Sequence, residues 1–140
     1  MEIQKNKLVT VRIEAIGNDG EGIGRLDGYT LFIKDALPGD LVEAKIMKAK
    51  KQYGYARMMR ILEPSPDRAE PVCSLHQKCG GCQLQALSYE KQLEYKEEKV
   101  RAHLERIGGF VHPPVLPVMG MEEPFHYRNK AQFPFGTDRE

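Results

Sequence analysis

Three cysteines within ten residues carry the clearest chemistry in this chain. Cys73, Cys79 and Cys82 lie in the run CSLHQKCGGCQLQ, spaced C-x5-C-x2-C, and the 140 residues hold no other cysteine. Thiolates this close in sequence suit a soft metal ion or an iron–sulfur cluster, because one tight loop can turn several sulfurs toward a common centre. Gly80 and Gly81 sit between the last two thiols. They let the backbone curl sharply and bring its N–H groups near the sulfurs, where they stabilise thiolate charge. A CxxC pair also fits thiol redox chemistry, but that motif expects a βαβ context, which the flanking pattern lacks. A disulfide framework is disfavoured by the odd count and by the absence of a secretory signal. Zinc and a cubane cluster both ask for four protein ligands. Either His76, inside the x5 loop, is the fourth, or the fourth lies past Glu140 and the chain is part of a longer protein. Both alternatives stay open on spacing alone.

A second group of residues points to a polyanion. Residues 44–62 hold Lys45, Lys48, Lys50, Lys51, Arg57 and Arg60 without one acid, against a net charge of only +1 for the chain. Tyr53 and Tyr55 stand beside Lys50 and Lys51. Cations interleaved with aromatic rings can follow phosphates while the rings stack on bases. The plainer alternative is a solvated sheet edge whose lysines discourage strand pairing. The long acid-free stretch favours nucleic acid, with Lys48, Lys50, Lys51, Tyr53 and Tyr55 as candidate contacts. Arg128 and Lys130, on one face of a later alternating run, are candidates for a second basic strip.

Other motifs yield less. Gly20, Gly22 and Gly24 in DGEGIG superficially suggest a phosphate loop, but no GK[ST] ending and no helix follows. A strand and a hairpin follow instead, so these glycines serve turns and close packing. His103 and His112 have no partners at ligand or catalytic spacing and read as structural. No Ser/His/Asp set, paired carboxylate or nucleophile elbow is present, so the residues by themselves disclose no complete active site.

The elements that must position these groups are mostly short strands. Val9, Val11, Ile13 and Ala15 alternate with polar residues, the period of a half-buried strand. Ile23–Leu26 and Tyr29–Lys34 flank Asp27-Gly28, a strong two-residue hairpin signal. Pro38-Gly39-Asp40 turns the chain into Leu41–Lys48, and Tyr53–Leu62 supplies a fifth strand. Five strands in about 55 residues with hairpin turns predict a small closed barrel of the OB kind. The proline-rich run at 63–67 then acts as a stiff connector. From Ser88 to Ile107 the spacing predicts a helix, with Ser88 as N-cap and Gly108-Gly109 as the stop. Its apolar stripe is Tyr89, Leu93, Val100, Leu104 and Ile107, and Glu90, Lys91, Glu94, Glu97, Glu98, Lys99 and Arg101 fall mostly on the wet face. Residues 126–135 alternate again, with Tyr127, Asn129, Ala131, Phe133 and Phe135 on one face, and predict a last strand. The fold class expected is mainly β with one long helix (α+β): a barrel domain over 1–63, then an incomplete cysteine-cluster region over 64–140.

Apolar residues make up 41% of the chain and charged residues 29%, a balance typical of a globular domain. No apolar run approaches the length of a membrane span, and the N-terminus lacks an apolar signal core. The expected setting is the reducing cytoplasm, where thiols remain free for metal. No protein partner is implied.

The order of these parts resembles a known family. DGEGIGRLDGYTLFIKDALPGDLVEAKI resembles a TRAM domain, an RNA-binding OB-like module. The motif C-x5-C-G-G-C-x-L-Q, the helix and the strand-like YRNKAQFPFG follow it in the order of the N-terminal part of bacterial RNA (uracil-5-)-methyltransferases, the 23S rRNA-modifying branch in particular. The resemblance spans nearly the whole chain. It implies a [4Fe-4S] cluster on Cys73, Cys79 and Cys82, with a fourth cysteine past Glu140. It also implies S-adenosylmethionine as methyl donor, held by a C-terminal Rossmann-like domain that carries the nucleophilic cysteine and the base. None of those catalytic groups falls on this sequence. The resemblance therefore implies the RNA-binding part of an enzyme, itself inactive, with 23S rRNA as partner.

Overall fold

A computed structural model describes residues 3–133 and 135–137. Five strands, β1 (Leu8–Ile16), β2 (Gly22–Leu26), β3 (Tyr29–Lys34), β4 (Leu41–Ala49) and β5 (Tyr53–Glu63), close into a barrel in the order β1-β2-β3-β5-β4. All neighbours are antiparallel except β3 and β5, which run parallel. The expected barrel is therefore present, with strand bounds within a residue or two of those read from alternation. Its core is the inward set Val9, Val11, Ile13, Leu31, Ile33, Val42, Ala44, Ile46 and Ala56. Ala15 departs from the expected inward face. The β1–β2 register shifts between Ile13 and Ala15, and one extra residue in a strand turns the following side chain to the other face. Gly24 bears out the packing reading of the glycine run, since a Cβ there would lie 2.5 Å from Val11 Cγ2.

The connector is tied to the barrel and does not run free. Pro38 and Gly39 occupy the centre of a turn closed by Asp40 N–H donating to Leu37 O at 3.0 Å, which suits their conformations. The fully buried Asp40 carboxylate then accepts four hydrogen bonds. Leu37 N–H donates at 2.7 Å, Ser65 N–H at 2.8 Å, and Arg68 through Nε at 2.8 Å and Nη2 at 2.6 Å. Burial pushes the Asp40 carboxyl upward. The Arg68 hydrogen bonds, those of the Ser65 and Leu37 amides and the Arg68 charge outweigh it, and they hold the pKa below the ordinary carboxylate value. Arg68 also pairs with Leu87 as an isolated bridge, and Ala69 N–H donates to Ala86 O at 2.8 Å. The two ends of the cysteine loop are thus clamped together against the barrel.

The loop contains a short helix, α1 (His76–Cys79), and is followed by α2 (Tyr89–Arg106). The α2 bounds match expectation and Ser88 takes the N-cap position, but its side chain makes no capping hydrogen bond. The stripe expected to bury is only partly used. Val100 and Ile107 are exposed, and no α2 residue is fully buried. The helix meets the barrel through a polar face spaced by four. Tyr95 Oη donates to Gly17 O at 2.7 Å, Lys99 Nζ donates to Asn18 O at 2.8 Å, and His103 Nε2 lies 3.3 Å from Asn18 Oδ1. Lys99, assigned to the wet face by its charge, belongs to this contact. The strand expected at 126–135 does not form among the described residues, and Pro134 lies outside them. No neighbouring strand there offers a ladder, and a lone strand would leave its N–H and C=O groups unpaired.

The four-donor site makes Asp40 the first test of the fold. Replacing Asp40 by Ala leaves Arg68 and two amides unpaired and should cost about 3–5 kcal/mol, read from urea unfolding. Because the folded pKa is depressed, the stabilisation is complete above the ordinary carboxylate range and is lost as pH falls through it toward the folded value. The wild-type protein should therefore lose more stability than Asp40→Asn between about pH 5 and pH 2. Parallel acid profiles for the two proteins would remove Asp40 as the origin of the effect.

Candidate nucleic-acid interface

The outer faces of β3, β4 and β5 form ordered rows. The parallel pairing sets Phe32 opposite Tyr55 and Lys34 opposite Arg57. Pairing of β4 with β5 adds Lys48 beside Tyr55 and Lys45 beside Arg57. The result is an aromatic cluster of Phe32, Tyr53 and Tyr55, with ring centroids 5.6–5.9 Å apart. Next to it runs a cationic row, Lys34–Arg57–Lys45. Tyr53 and Tyr55 share a face because they are two apart in a strand.

The turn that carries the lysines is locked to this platform. Tyr29 Oη accepts from Lys50 N–H at 3.1 Å and lies within hydrogen-bond distance of Lys50 O and Tyr53 O. Lys50 Nζ donates to Tyr53 Oη at 2.8 Å and sits 4.8 Å from the ring centroid. That hydrogen bond and the charge behind it raise the Lys50 pKa and lower that of Tyr53. Lys48, Lys50 and Lys51 are all exposed, and Tyr55 is 44% exposed.

Like charges directly opposite across strands destabilise a sheet. Among the described residues no ion pair relieves Lys34, Arg57 or Lys45, whereas Arg60 is paired with Glu43 at 3.1 Å. Arg60 thus drops out of the basic patch, because the acid just before the acid-free stretch reaches it from β4. The unrelieved row suits a polyanion.

The structure brings Lys48, Lys50, Lys51, Tyr53 and Tyr55 together. It does not join Arg128 and Lys130 to them as a strand. Arg128 lies 5.8 Å over the Tyr127 ring, and its pKa is raised by the Tyr127 hydrogen bond and charge, with a further contribution from Cys82. Lys130 is exposed. Phe32 and Lys34 were missed from sequence. Their signal was the outward phase of the Thr30/Phe32/Lys34 alternation, but only the parallel β3–β5 pairing puts them beside the tyrosines.

The thiols of Cys73, Cys79 and Cys82 are free and exposed. Cys79 ends α1, and Gly80 follows in the left-handed conformation at φ 71°, as the expected curl requires. Exposed thiols are the right donors for a soft metal. Their present spacing is open, however. Among the described residues no three His, Cys, Asp or Glu side chains converge well enough to hold a metal ion.

Comparison with known proteins places this surface. Residues 3–59 match the TRAM domain model. A protein of Halalkalibacterium halodurans named as an uncharacterized RNA methyltransferase is 50% identical over 134 residues, 96% of this chain and 29% of its own length. One from Clostridium acetobutylicum with the same description is 48% identical over 136 residues, covering 96% of this chain and 30% of that protein. Residues 3–59 thus match a TRAM domain, and nearly the whole chain is similar to part of proteins named as RNA methyltransferases. Like the first of these relatives, two more, also named as uncharacterized RNA methyltransferases, match over 29% of their own length, so this chain spans under a third of them. A solved structure, that of the Pyrococcus abyssi tRNA (uracil-54, C5)-methyltransferase in complex with S-adenosyl-L-homocysteine, is similar at 31% identity, with a TM-score of 0.44, over 71% of this chain and 21% of that one. Within the TRAM match lie the aromatic cluster and all three cations of the row. The cysteine loop and α2 lie outside it. Among the described residues no helix is long and apolar enough to cross a membrane.

Proposed function

We propose that this chain is the RNA-binding and thiolate-bearing part of an S-adenosylmethionine-dependent RNA (uracil-5-)-methyltransferase that acts on 23S rRNA in the cytoplasm. The observation that carries the RNA reading is the surface cluster of half-buried Phe32 and Tyr53 with exposed Tyr55, flanked by the row Lys34–Arg57–Lys45, which has no ion pair among the described residues. Rings offer stacking to bases of any sequence, and the cations track the phosphates. The barrel unit over 1–63 is the binding module in this reading, and 64–140 is a thiol-bearing region tied to it. Arg128 and Lys130 extend the contact.

Uracil C5 methylation needs a nucleophile to raise electron density at C5, a bound donor and a base to take the C5 proton. We assign none of these to residues of this chain. Cys73, Cys79 and Cys82 are better suited to hold a [4Fe-4S] cluster, for which their softness and the Gly80-Gly81 turn fit, than to attack the pyrimidine. A bound cluster would supply a rigid centre that orders the loop.

Three measurements test the proposal. Lys48→Ala, Lys50→Ala and Lys51→Ala together should reduce the slope of log affinity for single-stranded RNA against log salt by about 2. Tyr53→Ala or Tyr55→Ala should cost about 1–3 kcal/mol of binding. Unchanged binding in every variant would reduce the patch to a solvated edge. Iron and sulfide analysis of anaerobically purified full-length protein should find the cluster, and stoichiometric zinc without sulfide would sink it. In a radiolabelled methyl-transfer assay the full-length protein should methylate 23S rRNA and the 140-residue chain should not. Turnover by the shorter chain would place the chemistry here after all.

A further inference from the structure

The aromatic cluster has a second side. Phe32 and Tyr55, but not Tyr53, also line a cavity of about 530 Å³ roofed by the cysteine loop through His76, Gly80, Cys82 and Gln83. That volume lies in the range of sites for small ligands. The roof is seated closely. Gly20, at φ 85°, leaves no room for a side chain, since a Cβ there would lie 2.7 Å from Gln83 Cβ. The turn that carries Gly20 and the cysteine loop therefore meet directly, and the cavity is the gap between that junction and the sheet.

Its wall chemistry differs from that of the neighbouring surface. Asp19, Glu21 and Asp35 line it against one cation, Lys34. Glu21 already accepts from Asp19 N–H at 3.0 Å, whereas the Asp19 and Asp35 carboxylates have no hydrogen-bond partner among the described residues. Such a wall repels phosphate and accepts hydrogen bonds from neutral donors. His76 supplies an independent observation. It is 8% exposed, it forms part of the wall, and its Nδ1 has no hydrogen-bond partner among the described residues. A buried polar atom left unpaired is unfavourable, and a polar ligand entering between loop and sheet can relieve it. Only one of the three thiols, Cys82, reaches the cavity, so it is not the space around which three cysteines would close.

We propose that this cavity receives one unstacked nucleobase bearing an exocyclic amino group, adenine or cytosine, with its face on Phe32 and Tyr55 and its amino edge toward Asp19 and Asp35. The proposal rests on the RNA-binding reading above and makes it specific. Phosphates follow the outer cations while a single base leaves the strand and turns under the cysteine loop. A uracil offers carbonyl oxygens where an amino group would stand, and it is excluded by the unpaired acceptors.

The test compares the 140-residue wild-type chain with Asp19→Ala/Asp35→Asn and with Tyr53→Ala. The probes are short labelled homopolymers of adenosine, cytidine and uridine, titrated at one fixed salt concentration. Asparagine is chosen at residue 35 because that backbone is left-handed, at φ 64°, which asparagine tolerates. Wild-type protein should prefer adenosine or cytidine to uridine by about tenfold, the value of one hydrogen bond to a charged group. Asp19→Ala/Asp35→Asn should bring that ratio near one, while its uridine affinity does not fall. Tyr53→Ala, outside the cavity, should weaken all three and leave the ratio unchanged. A wild-type protein without base preference, or a preference that survives in the double variant, overturns the cavity proposal. If Tyr53→Ala still weakens every RNA in that case, the RNA-binding reading stands without it. If no homopolymer binds the wild-type chain, both fall together.

Discussion

One buried carboxylate holds the two parts of this protein in register. Asp40 collects donors from the turn before β4, from Ser65 just after β5 and from Arg68 in the connector. A buried ion pair offsets its desolvation only when geometry is good and the remaining lone pairs are satisfied. Four donors on two oxygens meet that condition. Arg68 is the hinge of the arrangement, because the same residue donates to Asp35 O and bridges to Leu87. The cysteine loop leaves and returns through residues fixed by this guanidinium. Its place over the sheet therefore follows from Asp40 and needs no contribution from the thiols.

Barrel closure by a parallel β3–β5 pair has a direct functional consequence. An antiparallel neighbour would place other residues of β5 beside Phe32, and the ring cluster would be broken up. Parallel pairing carries Thr30, Phe32 and Lys34 alongside Tyr53, Tyr55 and Arg57 in the same order. On this strand pair the aromatics therefore gather at one end, and Lys34 and Arg57 at the other. The cationic row is unfavourable for the free sheet. That local cost is one a binding surface tolerates when its partner is a polyanion.

Much of the barrel could be read from sequence because its signals are local. Alternation marks Val9–Ile13 and Leu31–Ile33, and Asp27-Gly28 and Pro38-Gly39 mark turns that the chain makes within four residues. The errors fall where distant residues decide. Ala15 is turned outward by a bulge against β2, and Arg60 is neutralised by Glu43 from β4. Lys99 leaves the expected wet face because Asn18, far away in sequence, offers a carbonyl. Two of the three rings of the aromatic site were legible, since Tyr53 and Tyr55 lie beside lysines. Phe32 was not, because a parallel neighbour has no turn to announce it. The expected strand after residue 125 had the right alternation but no partner to pair with among the described residues.

The turn at 17–21 links these observations. On one side Tyr95, Lys99 and His103 of α2 hold Gly17 and Asn18. On the other, Gly20 abuts Gln83 of the cysteine loop. Asp19 and Glu21, between those anchors, form the acidic part of the cavity wall. A helix with no fully buried residue thus has a structural task that burial would not reveal, which is to steady an acidic turn beside a basic sheet. This separation also gives a chain of net charge +1 one strongly basic face. What a nucleic acid meets is the local field. Acids are withdrawn to the turn and the helix, cations are left on the outer strands, and the rings of Phe32 and Tyr55 stand on the boundary between the two.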